Sequence, residues 1–192
     1  MTKQDTLSAF YHKLLPLFPP RTEGYINRLK QQDLQHANFR YIFSVKSMIE
    51  ISHMIEDSVI NTLGGADTHV SFQYFSRINA QLGQYTKVAE ASKGLWLYGV
   101  SDAPLPQLAR TTGIDTSGTP LEKYWFVVAY GPGIYATLLA EEIAPEEGQR
   151  FYEGFYTFEP QTAFQIISIL HQMFPAQIHA PVSPEEHGKV AA

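Results

Sequence analysis

The 192-residue chain has no cysteine. That absence excludes disulfides, thiolate metal sites, thiol nucleophiles and any chromophore held through a thioether. It fits a reducing compartment. Long apolar runs are missing too. The longest, residues 125–130 and 134–140, fall far short of the roughly 20 residues a membrane-spanning helix needs. The opening MTKQDTLSAFYHKLL lacks the apolar run and small-residue cleavage site of a secretory signal. A cytoplasmic chain with no membrane partner is therefore expected. Basic charge is scarce: the net charge is -5. Residues 1–96 hold 10 Lys+Arg against 8 Asp+Glu, and residues 97–192 hold 4 against 11. Without a basic stripe to release counterions, no nucleic-acid partner is expected.

Catalytic signatures are absent as well. The chain has no phosphate-binding glycine loop, nucleophile elbow or zinc-binding helix motif. Its 7 His are scattered, with no pair at metal-ligand spacing on a helix. No catalytic residue, no metal ligand and no enzyme activity are expected. The sequence names no cofactor.

What the chain does have is aromatic and apolar bulk. Hydrophobic residues make up 44%, with 12 Phe, 11 Tyr and 2 Trp, enough to build a packed core. Residues 1–40 read as an accessory helical segment: Leu7, Phe10, Tyr11, Leu14 and Leu15 repeat at helical spacing until Pro16, Pro19 and Pro20. A second, polar helix spans about 24–36. A third runs from about Ser47 to Leu63, opened by a Ser47…Glu50 capping box and closed by Gly64-Gly65. Strands are expected over 68–73, 95–100, near 109–115, and over 124–130, 134–143 and 150–158. Helices are expected over 76–92 and 160–174, the latter opened by Pro160. Gly131-Pro132-Gly133 reads as a hairpin turn. The Pro-, Ala- and Glu-rich stretch 175–192 reads as a flexible tail. This order predicts an α/β (α+β) fold, a mixed sheet of five or six strands with helices on its faces, occupying residues 41–174.

Two features carry candidate chemistry. On the third helix Glu50, His53, Asp57 and Asn61 share a polar stripe, whereas Ser52 and Glu56 fall on the apolar side. A carboxylate there is costly unless it is hydrogen-bonded. Glu56 therefore has two readings, a buried structural acceptor or an acceptor facing a ligand pocket, and the structural one leads. Gln73, closing an apolar strand, carries the same ambiguity. The second feature is the set of aromatics around the strands, among them Tyr85, Trp96 and Trp125. Such a set fills a core, or lines a pocket for a flat molecule with a few placed polar groups. Ser52, Glu56, Gln73, Tyr85, Trp96 and Trp125 are the candidate ligand-binding residues. The closing helix adds Phe164, Ile166, Ile167, Ile169, Leu170, Met173 and Phe174, an apolar arc wide enough to suggest a homodimer, or a helix held between the sheet and the N-terminal segment.

The spacing Ser47…Ser52…Glu56, then Phe72-Gln73, Phe75, Tyr85…Ala89, Leu95-Trp96-Leu97-Tyr98-Gly99, Trp125-Phe126-Val127-Val128 and Phe151…Gly154…Thr157-Phe158 resembles the DICT sensory domain. The resemblance covers residues 43–174. It implies a non-catalytic sensory or ligand-binding module of bacterial signalling, frequent in cyanobacteria and haloarchaea and linked to light responses. Family members usually sit beside output modules, for which this chain leaves no room. The resemblance therefore implies signalling through a protein partner or through self-association, with a small molecule as candidate ligand. The alternative reading is a structural homodimer with no ligand.

Overall fold

The computed structural model describes residues 6–62, 65–143 and 148–190. Seven strands form one sheet: β1 (Phe39–Ser44), β2 (Asp67–Tyr74), β3 (Gly94–Val100), β4 (Thr111–Asp115), β5 (Tyr124–Gly131), β6 (Ile134–Ile143) and β7 (Phe151–Thr157). Their spatial order is β1-β7-β6-β5-β2-β3-β4. The β2–β3 and β3–β4 pairs are parallel, and every other pair is antiparallel. The helices are α1 (Thr6–Leu14), α2 (Glu23–Ile26), α3 (Val45–Asn61), α4 (Leu82–Ala91), α5 (Pro160–Met173) and α6 (Pro184–Val190). The mixed α/β class is as expected. The strand count is seven, because β1 lies in a stretch whose alternation was hidden between the accessory segment and the first capped helix.

Both faces of the sheet are covered, which explains why the central strand β5 is buried at every position. On one face Trp125, Val127 and Ala129 of β5 pack with Ile51, Ile55 and Val59 of α3 and with Val88 and Ala89 of α4. On the other, Phe126 and Val128 pack with Ile166, Ile167 and Leu170 of α5 and with Leu7 and Tyr11 of α1. β7 shows the same alternation: Tyr152 and Tyr156 point to the first face and Phe155 to the second.

Several boundaries move for local reasons. The cap of α3 is Ser44, whose Oγ accepts from the Ser47 amide at 3.2 Å. Ser47 is thus inside the helix, and Glu50 pairs with Lys46 at 3.7 Å rather than closing a box. α3 ends at Asn61 with Thr62 as its C-cap, and the expected closing residues Leu63 and Gly64 lie outside the described residues. The 24–36 helix is two short turns, α2 and a 3-10 turn over Gln31–His36. The 76–92 helix likewise begins as a 3-10 turn over Phe75–Gln81. The β5–β6 hairpin turns where expected, with Gly133 at φ +89°, a conformation that strains any residue with a Cβ. At the end of α4, Arg110 donates to the carbonyls of Ala89 and Ser92 at 3.2 and 3.1 Å, a cation placed on the negative end of the helix.

Residues 175–187 lie along the α5 face, where composition alone predicts a flexible tail. Ile178 is buried, Trp96 Nε1 donates to the Gln177 carbonyl at 2.9 Å, and Tyr130 donates to the Val182 carbonyl. Among the described residues no helix is long and apolar enough to cross a membrane.

Candidate functional site

Five of the six candidate residues lie on the α3 face of the sheet. α3 turns Ser52 and Glu56 inward, and both are buried. Ser52 Oγ accepts from Trp125 Nε1 at 3.2 Å. Tyr85, on α4, donates its hydroxyl to Glu56 Oε1, joining the two helices beneath the surface. The second carboxylate oxygen, Oε2, has no hydrogen-bond partner among the described residues; His53 Nε2 lies 4.0 Å from it. Burial raises the Glu56 carboxyl above its ordinary value, while the Tyr85 hydroxyl, His53 and Gln84 pull the other way. Burial and the neighbouring carboxylate likewise push the Tyr85 phenol up, so it remains a donor.

Gln73 is the centre of the second group. It sits on an irregularity in the β2–β3 register, with φ +66° and only 1% of its surface exposed. A non-glycine residue in this region costs about 1–3 kcal/mol and persists only where its surroundings hold it. Four groups hold Gln73. Its Oε1 accepts from Arg77 at 2.6 Å and from Tyr152 of β7 at 2.7 Å. Its Nε2 donates to Glu142 of β6 at 2.7 Å and to the Glu122 carbonyl at 3.2 Å. Tyr152 packs edge-on against Trp125, ring centroids 5.4 Å apart, which connects this knot to Ser52. Phe72, beside Gln73, packs edge-on against Tyr85 at 4.7 Å, which connects it to Glu56. Ser52, Glu56, Gln73, Tyr85 and Trp125 therefore form one buried seam of polar groups and rings.

Trp96 is separated from them by the thickness of the sheet. It faces α5 and stacks on His69, ring planes 5° apart and centroids 4.5 Å apart. His69 Nδ1 bonds the Tyr98 hydroxyl at 2.7 Å. Burial, with His179 nearby, holds His69 down at about 3, so the imidazole is neutral within the core.

A cleft of about 820 Å³ opens at a third place, between α3, the 3-10 turn over Gln31–His36 and the start of β6. None of the six candidates lines it. Among the described residues no three His, Asp or Glu side chains come together as a metal site.

A family model described as "Sensory domain in DIguanylate Cyclases and Two-component system" matches residues 25–143, more than half of the chain. The chain belongs to the DICT family. The matched stretch runs from α2 through β6 and so contains α3, Gln73 and most of the cleft, while Tyr152 and α5 lie beyond it. No curated protein matches the chain.

Arg77, Glu142 and Tyr152 are partners of Gln73 that sequence reasoning did not single out. Gln73 and Arg77 are four apart, but a strand and a 3-10 turn separate them, so helical periodicity carries no signal. Glu142 and Tyr152 reach Gln73 only through sheet pairing. The polar side chains of residues 31–36 were hidden for another reason: a short polar helix reads as a solvated surface, whatever it overhangs.

Proposed function

We propose that this DICT domain is a non-catalytic sensory module of bacterial signal transduction, cytoplasmic, acting through a protein partner in response to a small molecule. Membership of a sensory family supports the reading. The observation that carries it further is Gln73: a buried residue of unfavourable backbone conformation, tying β2, β6, β7 and the turn over Pro120–Lys123 together. Strain held in this way marks a place where two arrangements of the sheet can differ little in energy. The light-linked setting implied by the resemblance belongs to the same proposal. With no cysteine, any pigment would be bound without a thioether, and a visible absorbance band on the purified chain is the observation it requires.

The ligand-free homodimer has less support. Its motive was the apolar arc of α5, and α1 together with residues 174–178 covers much of that arc.

The test is complementation in a host strain deleted for this chain, reading response-regulator phosphorylation and cyclic dinucleotide level. The wild-type chain should restore a signal-dependent difference. Gln73→Gly, which keeps the backbone angle and loses all four side-chain bonds, should fold and fail to restore it. Deletion without any change in either readout would overturn the sensory reading.

A further inference from the structure

We infer that the cleft between α3 and the Gln31–His36 turn is a binding site for an uncharged, flat ring compound with an amide-like donor–acceptor edge. The inference deepens the sensory reading, on which it rests only for calling the occupant a signal.

The cleft opens where the β5–β6 turn and the start of β6 bring two small residues into its lining. Gly133 and Ala136 line the floor, whereas Leu138, one position further along the same face, is wholly buried in the core. Ile55 of α3, Ile134, Tyr156 and Phe158 supply apolar and aromatic walls. The 3-10 turn overhangs this floor and is held in place by Leu34, which is buried and whose carbonyl accepts from Tyr156 at 2.9 Å. About 820 Å³ falls within the range of small-molecule sites.

The polar lining decides the chemical class. Among the described residues no Lys, Arg, Asp or Glu lines the cleft, and His36 is its one imidazole. A charged occupant would give up hydration with no permanently charged side chain in the described lining to replace it. The rim instead offers the carboxamides of Gln31, Gln35 and Asn61, each able to donate and accept. These three have no hydrogen-bond partner among the described residues, whereas Ser58 and Thr62 in the same wall are engaged with backbone carbonyls of α3. Unengaged amides above an apolar floor match a neutral ring that buries its faces and presents both a donor and an acceptor at its edge. The site is distinct from the Glu56–Gln73 seam, with which it shares helix α3 but no lining residue.

Two matched pairs of probes isolate the charge: nicotinamide with nicotinate, and indole-3-acetamide with indole-3-acetate. Each is titrated into the isotope-labelled full chain and followed by amide shifts. The amides should bind at least about tenfold tighter than the acids, moving the resonances of Gln35, Asn61 and Ala136. Ser58→Trp, on a half-buried wall position, should abolish binding with little change in the melt. Asn61→Lys, at an exposed position, should turn the preference toward the acids, and it keeps the test open should Ser58→Trp fail to fold. Acids binding as well as amides, shifts centred elsewhere, or no binding by either amide would overturn the inference. Probe binding with no host phenotype would remove the sensory reading and leave the site. A host phenotype without probe binding would do the reverse.

Discussion

Glu56 shows how a single residue records its surroundings. On a helical wheel it is a carboxylate on the wrong side; in the fold it is the acceptor of one buried phenol. Replacing it by Leu strands the Tyr85 hydroxyl, so Glu56→Leu should cost about 1–3 kcal/mol, seen as a lower melting temperature. Glu56→Gln keeps an acceptor and should cost less. The pH dependence separates the two effects. Because burial raises the Glu56 carboxyl above its ordinary 4.5, the folded chain holds that proton more tightly than the unfolded chain. The associated stability is complete below the ordinary value and is lost as pH rises through the raised one. The Glu56→Gln chain has no such loss, so its melting temperature relative to wild type should climb as pH rises above the ordinary 4.5. A flat difference would mean that the carboxyl titrates as though it were exposed. Ser52, Glu56 and Gln73 were all legible as inward polar residues on apolar faces. Their partners were not, since Trp125, Tyr85 and Tyr152 meet them across 73, 29 and 79 residues of chain.

Among the elements, the C-terminal segment departs furthest from what its composition suggests. Proline and alanine give it no periodic pattern, yet Ile178 is buried and the Gln177 carbonyl takes the indole proton of Trp96. Ending the chain at Phe174 would expose Ile178's site and leave that indole unpaired. The loss should be roughly 3–6 kcal/mol, or on the order of 10 °C in the melt of a chain this size. An unchanged melt would show that the segment does not dock. The strands were easier to read, because β3 and β5 are apolar on both faces and turn residues bound them. β1 was harder: of its six residues only Phe39 and Phe43 are buried, and its outer edge meets only Pro20 in an isolated bridge.

For the whole molecule, the sheet is shared by two cores, and each core has one tryptophan. Trp125 reports the α3 face and Trp96 the α5 face, both nearly buried. Strands β3, β5, β6 and β7 contribute to both cores, so neither can melt while the other keeps its floor. Trp96→Phe and Trp125→Phe each leave one indole, and the fluorescence transition of each variant should coincide with its own circular-dichroism transition. A variant in which the two separate would show that the faces unfold independently. The same sharing explains the position of α1: Leu7 and Tyr11 complete the second core, although both lie outside the family match.

Periodicity and turn chemistry by themselves determined the α/β class, the hairpin at Gly131-Pro132-Gly133 and the inward faces of α3 and β7, because these depend on neighbours within a few residues. The absence of cysteine excluded disulfides and thiol chemistry before any contact was known. Only the tertiary structure decided what depends on distant pairing. It opposed Trp96 to the other five candidates, since successive residues of a strand point to opposite faces. It forced Gln73 into a left-handed conformation where four elements converge. It also left a cleft beneath a turn that reads as surface in sequence, because Gly133 of the β5–β6 turn and Ala136 of β6, which line it, lie about 100 positions away.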